Sequence, residues 1–396
     1  MALKFITEAD LKDKKVLARF DFNVPMDKNN SSKIADTTRI DEALETINYI
    51  LKSGAKKLVL MSHFGRPKGE INKKYSLEPV ASYLSEKLGE DVILTETALD
   101  RGIKTLLNLN ESRVILLENL RFHAEEEGND REFARQLSTY GDVFIFDAFG
   151  AAHRKHASTY EINAFYKNKA YGGFLLKREL EALEKIVNHP KEPFMAIVGG
   201  AKVSDKIKII ETLLVSVDKL FIGGAMAYPF LKAQGYTIGK SLCSDEDVSL
   251  AKRILNTPSK SKIVLPLDHI VSEALDGKPE VLDSINIPEG KIGLDIGPRT
   301  LAHYQDFLKN AQTVLWNGPL GLFENKDFSK GTFGVAKTLS ELKAYTLVGG
   351  GDSVNAVKLS GLTDKMSHVS TGGGASLEFI EEGSLPGIQA LKFGID

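Results

Sequence analysis

Short apolar runs separated by amphipathic segments recur from one end of the chain to the other, and this rhythm is what most narrows the folds open to it. In the first half the runs fall at residues 15–22, 57–62, 92–95, 113–119 and 143–148. In the second they fall at 194–198, 219–222, 262–267, 291–296, 313–316, 345–348 and 368–370. Continuous apolar runs mark strands buried on both faces, as in parallel sheets, and segments such as 40–53, 76–88, 131–139 and 335–343 have the period of crossover helices. The expected class is α/β, built on two doubly wound, Rossmann-like parallel sheets. At 396 residues the chain can fill two generous domains. A polar, helix-favouring stretch, Lys177 to Lys185, follows Gly172-Gly173 and precedes Pro190 and Pro193, so a helix joining two lobes is expected there.

Charge and cysteine usage then exclude whole classes of function. Basic and acidic residues number 51 and 53, for a net charge of −2, so nothing draws the whole chain to nucleic acid or an anionic membrane. Any anion site must be local. Cys243 is the only cysteine, which rules out an intrachain disulfide and any multi-cysteine metal site and fits a reducing, cytoplasmic setting. The segment Met1–Glu8 meets charged residues before it can form a signal peptide, and no run of about 18 apolar residues follows, so neither secretion nor membrane spanning is expected.

In open parallel sheets, ligands bind beyond the carboxyl ends of the strands, so the residues just after each run carry the functional information. Those of the first half are basic and polar: Arg19-Phe20-Asp21-Phe22-Asn23, Ser62-His63-Phe64-Gly65-Arg66-Pro67, Glu118-Asn119-Leu120-Arg121-Phe122 and Asp147 to Arg154, with Arg39 before a helix. Guanidiniums converging on one rim would each fork two charge-assisted bonds onto a phosphate or carboxylate. Any one of them alone reads as an ordinary surface arginine. His63, His153 and His156 lack a metal-binding motif and lie among arginines that would repel a cation.

Runs in the second half end in glycine instead: Gly199-Gly200, Gly223-Gly224, Gly349-Gly350-Gly351 and Gly372-Gly373-Gly374. Glycine either lets backbone amides approach a phosphate at a helix start or merely permits a tight turn, and both readings stand. Lys202 and Lys206 are spaced i, i+4, so on a helix they would share a face, either around an anion or as a solvated pair. Asp352 is a candidate Mg²⁺ ligand and a candidate helix cap. Gly235-Tyr236-Thr237-Ile238-Gly239-Lys240-Ser241 lacks the spacing of a phosphate-binding P-loop, and no glycine cluster fits the dinucleotide fingerprint.

Taken in order, these strings, together with Trp316-Asn317-Gly318-Pro319, Gly349 to Asp352 and Ser370 to Ala375, resemble the phosphoglycerate kinase family from end to end. The resemblance implies reversible phosphoryl transfer from 1,3-bisphosphoglycerate to ADP, giving 3-phosphoglycerate and ATP, in a cytoplasmic, monomeric, hinge-bending glycolytic enzyme. It implies a phosphoglycerate site at Asp21, Phe22, Asn23, Arg39, His63, Phe64, Gly65, Arg66, Arg121 and Arg154. It implies a nucleotide site at Lys202, Lys206, Gly223, Gly224, Gly293, Asn317, Pro319, Glu324, Gly350, Gly351, Asp352 and Ser353, with Asp352 at Mg²⁺ and Glu324 near the ribose. The implied division is residues 1–173 with 385–396, a helix over 174–188, and residues 189–384, the segment Leu385 to Leu391 returning to the first lobe. Two positions depart from the family's pattern: Ala151 and Ser353 stand where threonine is usual, and serine keeps the hydroxyl. The transfer needs no general base, because the attacking phosphate oxygen is already ionised; Arg39 and Lys202 are the candidates to stabilise the migrating group, with amide donors at the helix starts of Gly350 and Gly373. Two competing readings are a nicotinamide-dependent dehydrogenase, which predicts the missing dinucleotide fingerprint, and a non-enzymatic two-lobed anion-binding protein, which leaves the glycines and lysines unexplained.

Overall fold

Burial on both faces decides which apolar runs become strands. The computed structural model describes residues 2–30, 32–109 and 112–395. The chain divides into two units, Met1–Glu181 with Ser384–Asp396, and Ala182–Gly383.

The first unit holds β1 (Lys15–Phe20), β2 (Lys57–Met61), β3 (Val92–Leu94), β4 (Val114–Leu116), β5 (Val143–Asp147) and β6 (Ala170–Gly172). They form one sheet in the order β3-β4-β2-β1-β5-β6, parallel throughout. Every residue of the central β2 is buried, as the continuous apolar run requires. The helix Thr38–Lys52 buries Ile40, Ala43, Ile47 and Ile50, a stripe at helical spacing that packs into the same core as Leu58 and Leu60. Glu78–Leu88 starts with Pro79 in its first turn and stops at Gly89, which takes the left-handed conformation, φ 67°, that ends helices cheaply only at glycine.

A helix over Phe174–Val187 covers the polar stretch noted above. Its start is tied to the first unit: Leu176 N–H donates to Asp147 Oδ1 at 2.8 Å, Phe174 N–H donates to Thr46 Oγ1 at 3.0 Å, and Arg178 pairs with both Glu42 and Glu45. The C-terminal helix Pro386–Phe393 also packs on this unit, with Gly387 N–H donating to Ala152 O at 2.8 Å. Leu385, Ile388 and Leu391 are buried there.

The second unit holds β7 (Phe194–Val198), β8 (Lys219–Ile222), β9 (Ile263–Val264), β10 (His269–Ser272), β11 (Glu280–Leu282), β12 (Ile292–Ile296), β13 (Thr313–Asn317), β14 (Tyr345–Gly349) and β15 (His368–Val369). A six-stranded parallel sheet runs β15-β14-β13-β7-β8-β9. Trp316 lies wholly buried in its core, and its indole N–H donates to Gly318 O at 2.8 Å. The run at 291–296 does not join this sheet. It becomes β12 of a separate antiparallel sheet, β11-β10-β12, backed by Tyr228, Leu231, Ile238, Val271 and Ile287.

Leu385 is completely buried against the first unit, and truncating such a side chain typically costs about 2–5 kcal/mol. Leu385→Ala is therefore expected to lower the melting temperature of the protein by several degrees in a calorimetric scan. An unchanged transition would show that the C-terminal segment contributes little to the first unit.

Candidate functional site

The loops after β1, β2 and β4 deliver polar groups, and hydrogen bonds join them with Arg39, at the start of the helix Thr38–Lys52, into a single rim. Arg39 Nη1 donates to Asp21 Oδ2 at 2.8 Å and to Asn23 O at 3.2 Å. Asn23 Oδ1 accepts from Gly65 N–H at 2.9 Å, and Gly65 O accepts from Arg121 Nη1 at 2.8 Å. Thus Asp21, Asn23, Arg39, Gly65 and Arg121 are brought together. Arg121 Nε also lies 3.2 Å from Glu127 Oε1, an ion pair whose angle does not make a hydrogen bond. Burial lowers the Arg121 pKa to about 10, still far above neutrality. His63 is buried, 3.9 Å from Asp21 Oδ1, and its pKa is held well below the usual histidine value by burial and then by Arg19, Arg121, Arg154 and Arg39. It is a neutral imidazole at physiological pH.

Arg154 is partly buried and donates to His153 Nε2 at 3.2 Å, while Arg66 is exposed on the loop after β2. The rings of Phe22 and Phe64 are core residues, Phe22 stacking on Phe20 at 5.5 Å, so only their backbones can face a ligand. His156 is held down to about 3, chiefly by burial and then by Arg121 and Arg19, so the histidines around the arginines are poor candidates for cationic groups.

One asparagine fixes this rim from beneath. Asn119 is fully buried; its Oδ1 accepts from Phe64 N–H at 3.0 Å and Arg121 N–H at 3.1 Å, and its Nδ2 donates to Phe64 O at 2.7 Å and Tyr75 O at 2.9 Å. Nothing in the sequence marks this asparagine beyond its place after an apolar run. Arg19, read from the sequence with the other basic residues, is instead buried beneath the rim, and Glu126 and Ser158 beside it are missed by sequence reading, because charged and hydroxyl residues are ordinarily assigned to the surface.

The second unit gathers its strand ends differently. Lys206 Nζ donates to Gly199 O at 2.7 Å and to Asn317 O at 3.2 Å, and burial lowers its pKa to about 8 against the opposing pull of Asp352 and Asp205. Asn317 Nδ2 donates to Gly349 O at 2.8 Å, while its Oδ1 is buried without a hydrogen-bond partner in the chain. Ser353 Oγ accepts from Gly318 N–H at 3.1 Å and donates to Gly349 O. Lys202 and Lys206 do not share a helix face. Lys202 is exposed on the loop after β7, and Lys206 ends the 3-10 turn Ser204–Lys206 that precedes the helix Ile207–Ser216. The loop is held off helical geometry by Gly200, at φ 125°, and by Ser204 N–H donating to Asp247 Oδ1 at 2.8 Å.

The glycines separate into two kinds. A Cβ on Gly199 would stand 2.0 Å from Pro319 O, one on Gly223 would stand 2.4 Å from Leu320 Cδ2, and one on Gly224 would stand 2.8 Å from Gly200 O. These three are required by loop packing. Gly351, Gly373 and Gly374 face open space instead, and Gly350 and Gly373 are the N-caps of the helices Gly351–Leu359 and Gly374–Glu382. Such helix starts present unpaired amides to an anion. Beside them lies a mostly apolar cleft of about 290 Å³, lined by Gly224, Gly293, Pro319, Leu322, Glu324 and Asp352 among others. Asp352 and Glu324 are exposed carboxylates on its wall. Among the described residues no group of three or more His, Cys, Asp or Glu side chains is arranged to hold a metal. A lone carboxylate such as Asp352 suits a Mg²⁺ carried on nucleotide phosphates, which needs only one or two protein ligands. No helix among the described residues is long and apolar enough to cross a membrane.

Known proteins resemble the chain over nearly its full length. The family model for phosphoglycerate kinase matches residues 6–383. A phosphoglycerate kinase of an Anaeromyxobacter species is 51% identical over 399 aligned residues, covering 99% of this chain and all of its own. That of Borreliella burgdorferi is 48% identical, again over 99% of this chain and all of its own. Among solved structures, phosphoglycerate kinase from Coxiella burnetii superposes with a TM-score of 0.88 at 40% identity, covering 98% of this chain and 99% of that one. The enzyme from Pyrococcus horikoshii gives 0.85 at 32% identity, with 98% of each chain covered.

Asn119→Ala removes four hydrogen bonds from a buried site and takes a partner from backbone groups of Phe64, Tyr75 and Arg121. It should cost about 3 kcal/mol in urea unfolding, the scale of losing buried partners, and a loss under about 1 kcal/mol would mean that water replaces the side chain.

Proposed function

Because the chain belongs to the phosphoglycerate kinase family, whose members are transferases that carry a phosphoryl group between 1,3-bisphosphoglycerate and ADP in glycolysis, we propose that its two units divide the two substrates between them. The observation that carries this division is the opposed chemistry of the two strand edges. One edge joins guanidiniums and a neutral histidine into a rim, and the other combines open helix starts, lysines and an apolar cleft with exposed carboxylates.

In this reading the phosphoglycerate lies on the first unit, where Arg39, Arg66, Arg121 and Arg154 neutralise its anionic groups and His63 and Asn23 orient it. The adenine nucleotide lies on the second, its base in the apolar cleft beside Gly293 and Pro319 and its ribose near Glu324. Asp352 would hold Mg²⁺, which supplies charge neutralisation between the phosphates. Asn317, with a buried Oδ1 that lacks a partner, and Ser353 support the backbone over which the phosphates pass.

The chemistry asks for position and charge rather than for a base, since the acyl phosphate carries a good leaving group and the attacking oxygen is already ionised. Lys202, exposed on its loop, is suited to follow the phosphoryl group, with Arg39 acting from the phosphoglycerate side. The amides at Gly350 to Asp352 and at Gly373 would meet the developing charge. Transfer between ligands on separate units requires that they be brought together and water excluded, so turnover includes a closing step. The chain works as a monomer in the cytoplasm in this reading. ATP formation from ADP and 1,3-bisphosphoglycerate, measured in a coupled assay, tests the reaction itself; nicotinamide reduction without ATP formation would support the dehydrogenase reading.

The two lysines should separate kinetically. Lys202→Met is expected to lower kcat by about 10²-fold with little change in Mg-ADP affinity, as for loss of a donor used only in the transition state. A variant that mainly loosens ADP while keeping turnover would overturn the assignment.

Lys206 makes a pH prediction. With its pKa lowered to about 8, it is charged in the free protein below that pH and neutral above it. A bound phosphate favours the charged form, so above about pH 8 binding must take up a proton, and affinity should fall by up to tenfold per pH unit. Calorimetric titration of Mg-ADP should show this fall in the wild type and a flat profile in Lys206→Met; equal slopes would contradict it.

A further inference from the structure

Beneath the basic rim lies a second layer of charge that no substrate can reach. Arg19, at 1% exposure, uses three of its nitrogens internally: Nε donates to Ser158 Oγ at 2.8 Å, Nη1 donates to Phe20 O, and Nη2 lies 3.1 Å from His63 Nδ1. A guanidinium has no lone pair to offer, so the last contact is a hydrogen bond only if His63 Nδ1 accepts. The ring proton then resides on Nε2.

Ser158 passes the charge of Arg19 to a partner. Its Oγ donates to Glu126 Oε1 at 2.6 Å, and its N–H donates to Glu126 Oε2 at 3.0 Å. Glu126 has no exposed surface, and burial pushes its pKa up against the opposing pull of Arg19 and Ser158; both of its oxygens accept, which is the pattern of an ionised carboxylate. A buried guanidinium and a buried carboxylate, each costly alone, are thus joined through one hydroxyl. The serine can serve only in this orientation, accepting from Arg19 and donating to Glu126.

We propose that Glu126 and Ser158 are positioning residues for the phosphoglycerate site: they hold Arg19 so that it fixes His63 as the Nε2–H tautomer, a neutral hydrogen-bond donor toward the substrate. The inference rests on the reading that His63 meets phosphoglycerate. It explains why a histidine ringed by Arg19, Arg39, Arg121 and Arg154 is useful there at all. A protonated ring would add to the repulsion among these cations. The opposite neutral tautomer would turn an N–H toward Arg19 and an acceptor toward an anion.

The test follows the tautomer and the affinity together. In ¹⁵N spectra of the intact protein at about pH 7, His63, assigned with His63→Gln, should show an unprotonated Nδ1 and a protonated Nε2. Ser158→Ala should give a tautomer mixture and weaken 3-phosphoglycerate binding roughly tenfold, the scale of one charge-assisted hydrogen bond, while leaving Mg-ADP affinity unchanged. Ser158→Thr, which keeps the hydroxyl, should retain the wild-type signals. Glu126→Gln, which puts an NH2 donor in place of one of the two oxygens that accept from Ser158, provides a second variant should Ser158→Ala fail to fold. A wild-type His63 protonated at Nδ1, or variants that keep both tautomer and affinity, would overturn the proposal. His63→Ala separates the two levels: if it abolishes tight 3-phosphoglycerate binding while Ser158→Ala and Glu126→Gln do not weaken it, the relay is wrong and the site stands. If His63→Ala binds normally, the site assignment fails and the relay falls with it.

Discussion

A parallel strand that ends leaves its backbone without ladder partners, and in this protein side chains supply them. That constraint shapes both sites. Ser62 Oγ accepts from Phe22 N–H at 2.8 Å and donates to Phe20 O at 3.0 Å, bridging the ends of β1 and β2, and Asn119 does the same work for the loops after β2 and β4. In the second unit Asn317, Lys206 and Ser353 tie together the ends of β7, β13 and β14. Unpaired buried backbone groups are costly, so each of these residues is set by the fold as much as by the chemistry. The rim residues above inherit their positions from this inner layer.

Electrostatics differ between the two edges in a way that suits two different anions. Around β1 the charges are partly buried guanidiniums, which stay ionised when desolvated and can fork onto a small polyanion. Around β7 and β14 the helix starts, a lysine whose charge is titratable near neutrality, and an exposed carboxylate suit phosphates that arrive with their own metal. His63 and His156 in the first rim are kept neutral by burial first and by their arginine neighbours second. Neither edge is required to supply a general base for a transfer whose nucleophile is already ionised.

Much of this was legible from the chain alone, and the failures have physical causes. The runs at 194–198 and 219–222 coincide with β7 and β8, and 15–22 and 57–62 overrun β1 and β2 by one or two residues, because the polar loop that follows is also buried. β10 and β11 escape periodicity: the first is short and opens on His269, and β11 is exposed at Glu280 and Val281, leaving no buried face to pattern. β12 reads like a parallel strand because its inner residues are equally buried, yet its partner is the antiparallel β10. The arginine rim was readable because Arg66, Arg121 and Arg154 each follow a run, whereas the lysine pair was misjudged as helical because the Ser204–Asp247 bond, which with Gly200 keeps Lys202 in a loop, joins residues far apart in sequence. The glycines show the limit most sharply, since Gly199 and Gly351 look alike until Pro319 is found against one and open space against the other.

The central claim is that each unit binds one substrate through its own strand edge. Hydrogen–deuterium exchange of the intact protein, read by mass spectrometry with each ligand added singly, tests it most directly. Saturating 3-phosphoglycerate should protect residues 19–25, 62–66 and 118–122 first and most, and Mg-ADP should do the same for 199–206, 317–324 and 349–354. Protection of the same segments by both ligands, or of the second set by 3-phosphoglycerate alone, would contradict the account.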